Sequence, residues 1–205
     1  MNGSDPLLTL RAVCVSHGSV PMDLVVRAGE RLAILAPESF GKSRLLRVMA
    51  GLIEPASGAV IRPEDGGVGV LFRVPELRFL CATPREEVGL APAARGVRGD
   101  DLNARVEAAL RRAGLDGACW DRGWHLFSAS EKYRVGVAIL YALRPRLLLI
   151  DEPGNPLSDS GEVGLAEDLR VFCLEHGVGL VVFTSREGRA GLFGERVVRM
   201  EGGKG

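Results

Sequence analysis

Lysine is nearly missing from this chain. Lys42, Lys132 and Lys204 are the only three in 205 residues, and arginine supplies the other 23 of the 26 basic side chains. The 26 acids balance them to a net charge of zero, so no global field draws the chain to nucleic acid. The arginine excess reads as compositional bias rather than as a binding patch. Cysteine is sparse as well: Cys14, Cys81, Cys119 and Cys173 are scattered without a C-x-x-C spacing, which argues against a zinc or disulfide framework and for reduced thiols. No apolar run approaches the ~20 residues that cross a bilayer, and no basic-then-apolar targeting pattern opens the sequence. If the protein works at a membrane, other chains must carry it there. What the chain does have is apolar mass, 46% of its residues, enough for one domain or one domain with an insertion.

That mass is organised around Leu32 to Leu46, where a buried-type strand stops at a short polar loop that runs straight into a helix. Ala36-Pro37-Glu38-Ser39-Phe40-Gly41-Lys42-Ser43 has the spacing of a phosphate-binding loop. In such a loop backbone N–H groups ring a phosphate, a lysine reaches the outer phosphates and a hydroxyl holds Mg²⁺. The helix expected from Lys42 to about Ala50 adds unpaired N–H groups and the positive end of its dipole. Ala36 stands where the general pattern has glycine, while Gly41 is kept.

Along the chain, Leu7 to Val13 and Met22 to Arg27 read as short strands of an antiparallel layer, joined by a loop that holds His17. A second pair of β segments is expected at Ala59 to Arg62 and Gly67 to Arg73. From Val74 to Phe127 the character changes to a helical insertion, broken early by Pro75, Pro84 and Pro92, with a helix opened by Asp100-Asp101-Leu102. Helices at Glu131 to Leu143 and Val163 to Cys173 alternate with apolar strands at 147–150, 178–183 and 196–200. Such alternation argues for a parallel sheet covered on both faces. At the end of the fully apolar Leu147-Leu148-Leu149-Ile150 come Asp151 and Glu152, two carboxylates that are costly to bury unless they meet cations. Strand ends of this kind line the ligand crevice, where one acid holds Mg²⁺ and its neighbour orients or deprotonates water. Asp151 is assigned to the metal and Glu152, as catalytic residue, to water.

Taken together, the phosphate loop, LLLIDEP at 147–153 and Phe127 to Arg134 between them resemble an ATP-binding cassette (ABC) transporter ATPase subunit over nearly the whole chain. Around 72–76 and 83–88 the similarity is to the energy-coupling-factor and cobalt-importer branch. The resemblance implies an α/β fold with a P-loop (RecA-like) core of mostly parallel sheet, an N-terminal antiparallel β layer and an inserted helical subdomain. It implies one nucleotide-binding domain over 1–205, with 1–73 and 128–205 forming the core and β layer and 74–127 the helical subdomain. ATP and Mg²⁺ are the implied cofactors, held by His17 and residues 36–44, with Ser43 and Asp151 on the metal. The implied partners are a second ABC ATPase chain, which faces Ser128-Ala129-Ser130 across a shared nucleotide, and integral membrane transporter subunits. The implied location is cytoplasmic, peripheral at the inner face of the cell membrane.

Several positions depart from the family pattern. Arg73 replaces the glutamine that helps coordinate Mg²⁺ and water, Ser185 the histidine at the γ-phosphate, and Ser158 the aspartate after Glu152. Ala129 and Ser130 stand where Ser-Gly-Gly would let two backbones approach closely. Ser39 replaces a glycine and Arg44 a second hydroxyl; His17 replaces an adenine-stacking aromatic and either stacks with less area or stands free of the base. Arg44 and Arg73 put two guanidinium groups near the triphosphate, which either take over part of the work of Mg²⁺ or turn to solvent. Losing one preorganised transition-state contact costs roughly 10² to 10³ in rate, and here two are gone. The expectation is that ATP binds, while hydrolysis at this chain's own site is slow or absent. Two other readings stay open: a nucleotide-gated interaction module of the same family that works without membrane subunits, and a phosphate-loop kinase of different architecture.

Overall fold

The computed structural model describes residues 6–63, 67–73 and 79–200. They form two compact units, one of 1–73, 145–155 and 162–205, the other of 74–144 and 156–161. In the first unit, β1 (Pro6–Cys14) pairs antiparallel with β2 (Met22–Arg27) and β4 (Ser57–Ile61) to give a three-stranded layer in the order β2-β1-β4. The second sheet is wholly parallel. It comprises β3 (Arg31–Leu35), β5 (Val68–Leu71), β6 (Leu147–Asp151), β7 (Gly179–Thr184) and β8 (Arg196–Arg199), in the order β5-β6-β7-β3-β8. Every residue of β6 and β7 is buried, which is why these strands are unbroken apolar runs instead of alternating ones. Helices α1 (Lys42–Ala50), α5 (Asp159–His176) and α6 (Glu187–Phe193) follow β3, β6 and β7. Leu45, Leu46, Val48 and Met49 of α1 join Leu32, Ile34, Leu147, Leu149, Val181 and Phe183 in one core that continues into Leu8, Leu10 and Val26 of the antiparallel layer.

The two β segments at 59–73 do not pair with each other. Exposed β4 takes the free edge of β1, Leu10 opposite Val60, whereas β5 lies beside β6, Val70 opposite Leu149. The reason is burial. Gly69 and Leu71 of β5 are buried and need a covered sheet, and β4 buries none of its residues.

In the second unit, α2 (Pro84–Ala94), α3 (Gly99–Arg112) and α4 (Ala129–Leu143) pack on one another. Pro84 does not break this region. It occupies the first helical position, where its missing N–H costs nothing, behind a Thr83–Glu86 capping box. Pro92 sits inside the same helix, and Pro75 lies outside the described residues. Because α4 packs on α2 and α3, the compact helical unit runs on to residue 144, beyond the 127 at which the sequence reading returned to the core. Trp120 is buried, donating its indole N–H to the Leu115 carbonyl at 3.1 Å, and Trp124 stacks on Phe79 with centroids 3.5 Å apart. Both tryptophans therefore serve packing within this unit.

Candidate functional site

The buried strand β3 delivers the phosphate loop to the carboxyl edge of the parallel sheet, where the backbone N–H of Ala36 donates to the Thr184 carbonyl at 3.0 Å. The Ala36 side chain is buried, so the methyl that stands in place of glycine packs into the sheet end. Pro37, Glu38 and Ser39 are exposed, and a 3-10 turn over Glu38–Phe40 is closed by Phe40 N–H donating to the Pro37 carbonyl. Gly41 then takes φ +83°, a left-handed value that reverses the chain into α1 and that glycine adopts without strain. The first turn of α1 leaves backbone donors without intrahelical partners at the mouth of the loop.

Two side chains of that first turn reach the carboxylates of β6. Ser43 Oγ donates to Asp151 Oδ2 at 2.6 Å, across 108 positions of sequence. Buried Lys42 donates to the Ala36 carbonyl at 3.0 Å and lies 3.8 Å from Glu152 Oε1. The loop and the two acids thus converge in space. Burial pushes the Asp151 carboxyl above its ordinary range; the Ser43 hydrogen bond opposes this, Glu152 reinforces it, and the Lys42 and Arg73 charges pull it back. Asp151 Oδ1 is buried with no hydrogen-bond partner among the described residues. An oxygen donor left bare beside a serine hydroxyl fits the preference of Mg²⁺ for oxygen ligands.

Glu152 follows with φ +49°, a strained value for a residue other than glycine. Its carboxylate folds back on the end of β7. Oε1 accepts from Ser185 N–H at 2.9 Å and from Ser185 Oγ at 3.0 Å, and Oε2 accepts from Thr184 Oγ1 at 3.0 Å. Arg189 Nη1 lies 3.5 Å from Oε2, and its Nε is 2.5 Å from Glu162 Oε1. Thr184, Arg189 and Glu162 are absent from the sequence-level assignment. One signal was available for Glu162: it falls in phase with the buried Leu165, Ala166 and Leu169 of α5, a position where a charge needs a partner.

The remaining assigned residues lie further out. Arg73 pairs with Glu38 of the loop at 3.0 Å, both side chains largely exposed, so the pair is worth only ~0 to 1 kcal/mol. Arg44 is exposed and commits its Nε to the Val15 carbonyl at 2.5 Å, at the end of β1. His17 is exposed on the turn that follows. In the helical unit, Ser128, Ala129 and Ser130 form the start of α4. Ser128 is its N-cap, receiving the Glu131 N–H and donating its own N–H and hydroxyl to the Glu131 carboxylate at 2.8 and 2.6 Å. Ser158 accepts from the Gly161 N–H at 3.3 Å, a local turn contact.

The model of the ABC transporter family matches residues 20–155, which takes in the phosphate loop, the cap of α4 and both acids. The chain belongs to the ABC transporter family. Among relatives of this ABC chain, the energy-coupling factor transporter ATP-binding protein EcfA1 of Symbiobacterium thermophilum is 33% identical over 195 residues, covering 89% of this chain and 67% of the relative. The energy-coupling factor transporter ATP-binding protein EcfA of Methanothermobacter thermautotrophicus is 29% identical over 198 residues, covering 89% and 62%. The chain therefore spans about two thirds of the length of the curated relatives it matches. The structure of cbiO1 from Clostridium perfringens, described as part of the ABC transporter complex cbiONQ, superposes with a TM-score of 0.84 at 23% identity. It covers 98% of this chain and 86% of that one, a likeness of fold. Among the described residues no helix is long and apolar enough to cross a membrane.

Proposed function

We propose that this chain is the ATP-binding subunit of an ABC-type membrane transporter, binding ATP with Mg²⁺ and hydrolysing it slowly or only with a partner. The observation that carries the reading is the Ser43–Asp151 contact at 2.6 Å with Asp151 Oδ1 left bare beside it and the Lys42 amine next to the same acids. Residues 36–43 would cradle the phosphates and Lys42 would neutralise the outer ones. Ser43 and Asp151 would hold Mg²⁺, which when bound draws charge from the phosphate oxygens. His17 would lie toward the base, and Arg44 would stand beside the triphosphate with its Nε held by the Val15 carbonyl. Slow hydrolysis is supported by the capture of Glu152 and by the residues at 73 and 185, neither of which supplies the family's amide or imidazole.

The names of the relatives, both energy-coupling factor transporter proteins, support the finer reading of an assembly of the energy-coupling-factor type. In it, this subunit would sit at the inner face of the membrane with a second ABC ATPase chain and membrane-spanning subunits. Ser128-Ala129-Ser130 would then face the partner's nucleotide, and Ser158, in the loop after Glu152, would stand where the family has an aspartate. One observation favours the alternative, a nucleotide-gated regulatory module: the Ser128 hydroxyl is already engaged by Glu131 of its own cap. Calorimetry with ATP and Mg²⁺ should show saturable binding, and phosphate release should be slow. Absence of binding would overturn the proposal, and brisk turnover that disappears in Glu152→Gln would overturn its slow-hydrolysis part. Co-purification with membrane subunits separates the transporter from the regulator. The Arg73–Glu38 pair sits at the loop, so ATP affinity with and without chelator also tests whether guanidinium replaces part of the metal's work; a collapse without Mg²⁺ would refute that.

A further inference from the structure

We infer that Arg189, anchored by Glu162, is a positioning residue that latches the Glu152 carboxylate onto the end of β7 and so keeps it from the attacking water. The inference deepens the slow-hydrolysis reading and rests on it. A carboxylate offers about four lone-pair sites. Three are filled here, by the Ser185 N–H, the Ser185 hydroxyl and the Thr184 hydroxyl, all between 2.9 and 3.0 Å. The fourth faces Arg189 Nη1 at 3.5 Å. That fourth site carries no hydrogen bond, and a water molecule reaching it must compete with the guanidinium charge beside it.

The latch is built rather than incidental. Arg189 is 7% exposed, and a lone buried guanidinium would be costly. On the far side Glu162 Oε1, at a buried position of α5, lies 2.5 Å from Arg189 Nε, an ion pair that supplies the opposite charge without a hydrogen bond between these two atoms. The chain thus runs Glu162–Arg189–Glu152–Lys42, alternating in sign from α5 through α6 and the end of β6 to the phosphate loop. Ser185 completes it, since a hydroxyl at this position can bond the carboxylate while its backbone N–H bonds the same oxygen.

The suppressed step is hydrolysis. A water oxygen bonds the γ-phosphorus, the bond from that phosphorus to the β–γ bridging oxygen breaks to leave ADP, and a carboxylate takes the water's proton. Release of Glu152 restores that acceptor. Removing Arg189 alone strands Glu162 and invites misfolding, so the working variant is Glu162→Gln/Arg189→Gln, which keeps hydrogen-bonding groups on both sides. A second variant, Thr184→Val/Ser185→Ala, strips the hydroxyls without changing charge. For variants that melt within a few degrees of the parent, kcat for ATP should rise at least tenfold with KM within about threefold, and Glu152→Gln added on top should abolish the gain. Arg189→Lys, which keeps a cation at the site, should stay slow. An unchanged kcat in both folded variants, or a gain that survives Glu152→Gln, overturns the latch and leaves ATP binding intact. Rapid turnover by the parent chain overturns the latch as well. Absence of ATP binding by the parent instead overturns the proposed function.

Discussion

Gly41 carries the turn into α1 at φ +83°, and nothing lies within 4 Å of where a Cβ would stand. The cost of a side chain there is conformational, not steric. Gly41→Ala should lower stability by about 1 to 2 kcal/mol, a fall in melting temperature of roughly 2 to 8 °C for a chain of this size, while Gly41→Asn should cost less because asparagine tolerates the left-handed region. Thermal unfolding followed by circular dichroism checks both. At Asp151 the prediction concerns the metal. Asp151→Asn keeps an oxygen to receive the Ser43 hydroxyl but loses the charge, so ATP affinity should fall about 10- to 100-fold in Mg²⁺, the loss of a charged contact worth ~1.5 to 3 kcal/mol. It should then no longer respond to chelator; a variant whose calorimetric affinity still drops on chelation would refute the assignment. These residues were legible in the sequence because glycine, lysine and paired acids are rare in such apolar surroundings. Thr184 and Arg189 were not. Their role depends on where the end of β7 meets Glu152, a neighbour 32 or more positions away.

Helix starts carry their own chemistry. Ser128 and Glu131 cap α4 reciprocally, and the Ser128 hydroxyl and backbone N–H hold the Glu131 carboxyl below its ordinary value of 4.5. A depressed carboxylate contributes stability above its unfolded pKa and loses it as pH falls through the folded one. Ser128→Ala should therefore cost ~0.5 to 2 kcal/mol at pH 7, and the gap from the parent in urea titrations should narrow below about pH 4.5 as the Glu131 share disappears. A gap that stays constant down to pH 3 would refute the reciprocal part. The same pattern, Thr83-Pro84-Arg85-Glu86, opens α2, so the information needed to place that helix was in the chain, and reading Pro84 as a breaker hid it. Partner choice among strands was not in the chain locally. Nothing in Ser57–Ile61 or Val68–Leu71 tells that one joins β1 and the other β6, because both choices are made by surfaces assembled from distant segments.

For the whole molecule, the fold class followed from alternation of apolar strands and helices, and the family match over 20–155 agrees with it. The start of α4 bears on assembly. If this segment faces a partner's nucleotide, as proposed, Ala129 and Ser130 carry side chains where a close approach would favour none, and the Ser128 hydroxyl is already bound. With ATP, Mg²⁺ and the Glu152→Gln substitution to prevent turnover, the chain alone should remain monomeric by size exclusion with light scattering. Ala129→Gly/Ser130→Gly should shift it toward dimer. A stable dimer of Glu152→Gln alone would show that these side chains do not impede closure.

The strand that delivers the phosphate loop has β7 and β8 as its neighbours, and both come from residues 179 onward. At ~5 to 20 residues per second of synthesis, the apolar run Leu32 to Leu35 waits roughly 7 to 30 s for a backbone partner to leave the ribosome. Premature stop codons anywhere upstream of Gly179 should thus yield fragments that retain the loop's residues yet cannot grip a nucleotide, and whose naked β3 invites aggregation.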